Sequence, residues 1–316
     1  MTCSWHAAKR AGCGLAFAWL SGCAVQTTAL RSRPPSDLPG AAELSATPFF
    51  AQTAYQCGPA ALATALAAIG IDAAPAWLAE QIFLPARTGT LQTEMLAGAR
   101  RHGAVATRLL GTLDALLREV AAGHVVVVLQ NLGLSFAPRW HYAVVVGYDV
   151  VAGDVLLRSG GTQREVIAMR TFEYTWARSG FWAFVASRPG DWPVTAELDA
   201  AAEAAVGFER SASPAQALRV YDSALQRWPD SLTLAMGQAN ALYAAGNKAR
   251  AAELFEATAR RHRSAAAWIN LSGTLLELGA PQAALDAARQ AVGLDDEPWR
   301  ARAAQALEAA QRAQLP

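Results

Sequence analysis

The pattern of apolar and polar positions changes character several times along the chain. Ala11 to Trp19 is a short apolar run behind Lys9 and Arg10, well short of the ~20 residues needed to span a membrane. It closes on small residues at Leu20-Ser21-Gly22-Cys23, which predicts a removable export signal over 1–22. Residues 23–48, with Pro34, Pro35, Pro39 and Gly40, lack periodicity and predict a tether. Between 49 and 190 the pattern is mixed. Pro59–Ile69, Ala74–Phe83, Thr90–His102 and Leu113–Ala121 read as short helices, with Gly70 and Gly103 as stops. The period then shortens to that of strands at His124–Gln130, Tyr142–Tyr148 and Asp154–Arg158, and Arg164–Arg170 and Gly180–Ser187 can complete a sheet. Helices followed by a sheet make an α+β order. Ser187–Pro193, with two prolines and a glycine, marks a domain boundary.

From 195 to 316 the pattern is helical throughout, and it repeats. Gly246 and Gly279 each end a helix, 33 positions apart. Ala217, Tyr221 and Ala224 share the spacing of Ala251, Phe255 and Thr258, and of Ala284, Ala288 and Ala291. This resembles tetratricopeptide repeats, in which small residues let paired helices touch and a large one fills the gap. Three repeats begin near 198, 232 and 265, and a closing helix follows from about 297. The resemblance implies an all-α solenoid that recruits a protein partner.

Charge and cysteine usage narrow the chemistry. A net charge of +1 gives no electrostatic case for nucleic acid. Of the four cysteines, Cys3 and Cys13 fall within the expected signal. Leu20-Ser21-Gly22-Cys23 resembles the bacterial lipobox, which implies a lipid anchor at Cys23 and a place in the bacterial cell envelope. Ala24, rather than Asp, after that cysteine points to the outer membrane, facing the periplasm. Cys57 is then the one thiol left to the mature chain. No spaced Cys/His cluster suggests a metal, no glycine loop suggests a phosphate site, and no cofactor is expected.

Cys57 is a candidate nucleophile. It precedes Gly58-Pro59 at an expected helix N-terminus, where free N–H groups and the helix dipole lower a thiol pKa, and Gly58 lets a substrate carbonyl approach. Gln52, five residues earlier, can place an amide beside the Cys57 N–H as an oxyanion donor, and His141 opens a strand that mounts an imidazole rigidly. Trp140 either borders the cleft beside His141 or lies in the core, and the loop Leu84–Thr90 is placed at the cleft rim. His102 and His124 read as structural.

Gln52…Cys57-Gly-Pro-Ala-Ala-Leu, followed by His141-Tyr-Ala-Val-Val-Val-Gly-Tyr148, resembles the double-glycine-leader, bacteriocin-processing cysteine peptidases over roughly 49–187. The resemblance implies a papain-like fold, Cys57 as nucleophile, His141 as base then acid, and Gln52 at the oxyanion. Gln52 lies one residue nearer the cysteine than is usual in that family. The family's Asp-Pro at a strand end reads Arg158-Ser159-Gly160 here, which puts Ser159 where an aspartate orients the histidine. The expectation is therefore an envelope-anchored cysteine peptidase acting on a peptide or protein substrate. Its alternatives are a silent papain-like binding module that acts as an adaptor, and a thioester-forming acyltransferase.

Overall fold

The computed structural model describes residues 24–51 and 56–315. The expected export signal, the anchor Cys23 and the oxyanion candidate Gln52 lie outside those residues. The chain enters through α1 (Val25–Ser32) and β1 (Ala41–Glu43), then runs through α2 (Cys57–Ala68), α3 (Pro75–Ile82), α4 (Gln92–Arg101), β2 (Val105–Arg108) and α5 (Leu113–Ala121). β3 (Val126–Asn131), β4 (Trp140–Asp149), β5 (Asp154–Ser159) and β6 (Thr162–Ala168) follow, then α6 (Met169–Ala177) and β7 (Ala183–Ser187).

The strands form one antiparallel sheet in the order β2-β7-β3-β4-β5-β6, and β1 pairs with the far end of β4. The valine runs of β3 and β4 occupy its centre because both of their faces are covered. Val144, Val146 and Leu156 pack on one face with Leu62 and Leu66 of α2, Ile82 of α3 and Met95 of α4. Val145, Val128 and Leu157 pack on the other with Leu116 of α5 and Phe172 and Trp176 of α6. The sheet thus separates the helix that begins at Cys57 from α5 and α6.

The tether expected over 23–48 is corrected for its described part. Leu30 and Leu38 are buried in the second core cluster, and Ala41, Ala42 and Glu43 pair with Asp149, Tyr148 and Gly147. The start of α1 is capped from far along the chain. The Glu173 carboxylate on α6 accepts from the N–H groups of Gln26 at 3.0 Å and Thr27 at 2.7 Å, which satisfies donors that a helix start leaves open. The strand expected over Arg164–Arg170 ends at Ala168, because Met169, Phe172 and Trp176 form the apolar stripe of α6.

Behind β7 the helices come in pairs: α7 (Leu198–Glu209) with α8 (Pro214–Arg227), α9 (Leu232–Ala244) with α10 (Lys248–His262), and α11 (Ala265–Glu277) with α12 (Pro281–Gly293), followed by α13 (Arg300–Arg312). Gly246 and Gly279 follow α9 and α11 with φ of 84° and 72°, the left-handed conformation that stops a helix. α7 packs on the outer strand β2, and Val105 shares a core with Ala204, Ala205 and Phe208. The connection between sheet and repeats is gripped from both sides. Glu119 of α5, fully buried, accepts from Thr195 N (2.6 Å), Thr195 Oγ1 (2.5 Å), Val194 N (3.2 Å) and His124 Nδ1 (2.6 Å). Arg227 of α8 donates to the carbonyls of Pro193, Val194 and Ala196.

Candidate active site

Cys57 is the first residue of α2, and Pro59 occupies the first turn, where its missing N–H costs nothing. Its thiol is half-buried and free, packed at the edge of the core beneath α2. Burial pushes the Cys57 thiol above its ordinary value, against the N–H groups of Tyr142, Gly58 and Cys57 itself, which favour the thiolate. This corrects the expectation that the helix start alone lowers the thiol pKa. Desolvation of the charged form outweighs the three donors.

The Tyr142 N–H at the sulfur brings Cys57 to the first residues of β4, one position from His141. β4 pairs with β3 through Trp140 and His141, opposite Asn131 and Gln130. β5 pairs with β4 only as far as Val144↔Arg158, so the other edge of β4 is open at His141. Ser159, the next residue of β5, reaches into that opening, and its Oγ lies 2.9 Å from His141 Nε2. The structure therefore brings together the imidazole and the hydroxyl at the position where the sequence lacks an aspartate.

With Nε2 engaged by Ser159, Nδ1 is the ring nitrogen left for a second partner. Burial pulls the His141 pKa below its ordinary value; the charge of Glu165 works against that, and Arg139 works with it. The raised thiol and the lowered imidazole both favour the neutral form at pH 7.

The surroundings were only partly foreseen. Trp140 is 53% exposed, so it stands at the rim of the site and not in the core. The loop ahead of α4 reaches the site through Thr90, whose carbonyl accepts from Tyr142 OH at 3.2 Å. Gly58 serves this contact: a Cβ there would meet Thr90 Oγ1 at 2.6 Å, so the glycine makes room for the loop. The Thr90 hydroxyl is buried without a partner. His102 caps α4 and meets the Trp77 ring edge-on, and His124 bonds Glu119. Among the described residues no group of three His, Cys, Asp or Glu gathers to hold a metal ion.

Residues 44–184 match the Peptidase_C39 like family, and residues 202–262 and 236–297 match the tetratricopeptide repeat. No curated protein matches the chain. Among solved structures it is similar to a C39-like peptidase from Bacillus anthracis, at 19% identity and a TM-score of 0.40, covering 48% of this chain and 98% of that one. It is similar also to the peptidase domain of Streptococcus ComA, a bi-functional ABC transporter involved in a quorum-sensing pathway, at 16% identity and a TM-score of 0.37, covering 44% and 96%. A variant of MamA is similar at 17% identity and a TM-score of 0.31, over 37% and 67%. Residues 44–184 of this chain form a domain of the Peptidase_C39 like family, and tetratricopeptide repeats follow it over 202–297.

Proposed function

We propose that the chain is a cysteine peptidase that uses Cys57 as nucleophile and His141 as base and then acid. The observation that supports this reading is a free thiol at the start of α2 that takes the N–H of Tyr142, the residue next to His141, together with an imidazole held at Nε2 by Ser159. In this reaction His141 Nδ1 takes the thiol proton as the sulfur bonds to the scissile carbonyl carbon. The C–N bond breaks as the imidazolium returns that proton to the leaving amine. Water, deprotonated by the same nitrogen, then attacks the thioester carbon. The C–S bond breaks, a carboxylic acid leaves, and the thiol is restored. Gln52 is the proposed oxyanion donor, on the strength of its place five residues before Cys57.

A thiol-directed peptidyl probe followed by mass spectrometry tests this site. A covalent adduct on Cys57 that Cys57→Ala abolishes and His141→Ala strongly slows supports the enzyme. A second reading, a silent peptide-binding module, is favoured by the uncharged Ser159 and the raised thiol pKa. Peptide binding with no adduct in the wild type selects it.

The repeats are proposed to recruit a protein partner or substrate, in keeping with their match. Lipidation at Cys23 and envelope localisation are proposed from the sequence alone. Ala24 is 2% exposed, so an acylated Cys23 would hold the domain close against a membrane. Metabolic labelling with a fatty acid, lost in Cys23→Ala, tests the anchor.

A further inference from the structure

Arg158 ends the part of β5 that pairs with β4, and the register with β6 shifts around it, between Leu157 and Ser159. Its neighbours in the strand face opposite ways: Leu156 joins the core beneath α2, and Leu157 joins the core beneath α5 and α6. Arg158 is 3% exposed, and arginine is seldom buried this deeply without a carboxylate. Here backbone carbonyls take that place. Nε and Nη2 donate to Thr47 O at 3.3 Å each, Nη2 donates to Ser45 O at 3.0 Å, and Nη1 donates to Gln163 O at 2.5 Å. The fork therefore ties three pieces of chain together: the turn at 45–47, the end of β5 and the start of β6.

Each tie bears on the site. Thr47 lies ten residues before Cys57, in the segment that precedes it in sequence. Phe50, within that segment, packs on the same core as Cys57. The β5 end holds His141 through Ser159. One guanidinium thus bonds the turn at 45–47, ahead of Cys57 in the chain, and belongs to the strand end whose Ser159 holds His141.

We propose that Arg158 is a positioning residue that sets the separation of Cys57 from His141, by fixing the turn at 45–47, ahead of Cys57 in the chain, against the strand end that carries Ser159. This rests on the reading of Cys57 and His141 as nucleophile and base. A planar fork with several donors suits the task, because it meets carbonyls on two segments at once. A lysine carries its three donors on one nitrogen and lacks the fixed fork that reaches carbonyls on opposite sides.

The test is the alkylation rate of Cys57 by iodoacetamide at neutral pH in the full chain, which needs no peptide substrate. Arg158→Met and His141→Ala are each expected to slow it about tenfold, and the double variant to be no slower than either, because both changes remove the same coupling. Arg158→Lys is expected to fold and still lose most of the rate. Arg289→Ala, which breaks the exposed pair with Asp286 on α12, is expected to match wild type. Wild-type alkylation in folded Arg158→Met, or additive effects in the double variant, would overturn the proposal. Loss of the fold in both Arg158 variants also overturns it, since stability then accounts for the clamp. If Arg158→Met slows alkylation as expected while the wild type cleaves no peptide, the positioning stands and the peptidase reading falls.

Discussion

Ser159 is the residue on which the chemistry turns. Its hydroxyl can hold the His141 ring in place, but it brings no charge to favour an imidazolium. Burial acts in the same direction by raising the Cys57 thiol and lowering the imidazole. Both groups are then neutral at pH 7, and the thiolate population grows only as pH rises through the raised thiol pKa. The expected outcome is a Cys57 alkylation rate that keeps climbing above pH 8; a plateau reached near pH 6 would show an ion pair instead. Ser159→Asp places a carboxylate at Nε2, which stabilises the protonated ring and raises the His141 pKa. That variant is expected to gain alkylation rate near pH 6, by about tenfold for each unit by which the pair shifts. An unchanged acid limb would mean that the Ser159 contact does not govern the imidazole.

At the scale of elements, the informative cases are those whose partners are distant in sequence. α1 is eight residues long and lacks a capping side chain of its own, so nothing local marks its start. It exists because Glu173 caps it and because Leu30 finds the core beneath α5 and α6. Glu173→Ala is expected to cost about 2 kcal/mol, as hydrogen bonds to a charged group are lost, and to raise amide exchange over residues 25–32. Unchanged exchange there would refute the capping role. Elements with a local signal were legible in the sequence. The valine runs of β3 and β4, Pro59 in α2, and the glycines after α9 and α11 announce themselves. The stripe of Met169, Phe172 and Trp176 in α6 was present too, but it sits hard against the end of β6, where the period changes without a turn residue. Of the site, Cys57, His141 and Ser159 could be read from their motifs. Thr90 and Arg158 could not, since a contact with Gly58 and bonds to the carbonyls of Ser45 and Thr47 leave no periodic trace.

The whole molecule holds its sheet domain and its repeats together through α7 on β2 and through the linker gripped by Glu119 and Arg227. Burial pushes the Glu119 carboxyl up, but His124 and Thr195 outweigh it and hold the pKa below the usual range. Because the folded pKa is depressed, this stabilisation is fully present above the ordinary carboxylate pKa of about 4.3 and is lost as pH falls through the lower folded value. The two parts are expected to unfold in urea as one transition at neutral pH. Glu119→Leu leaves the N–H groups of Val194 and Thr195 without their acceptor, and is expected to cost about 3 kcal/mol and to split the transition in two. A single, unshifted transition in that variant would show that the α7 contact alone joins the domains. Catalysis by Cys57 and His141 is tested by the set of new N-termini generated when the full chain is incubated with a diverse peptide library. Wild type is predicted to produce a defined set of cleavages that Cys57→Ala and His141→Ala abolish; identical termini in wild type and Cys57→Ala, or none in wild type, would contradict it.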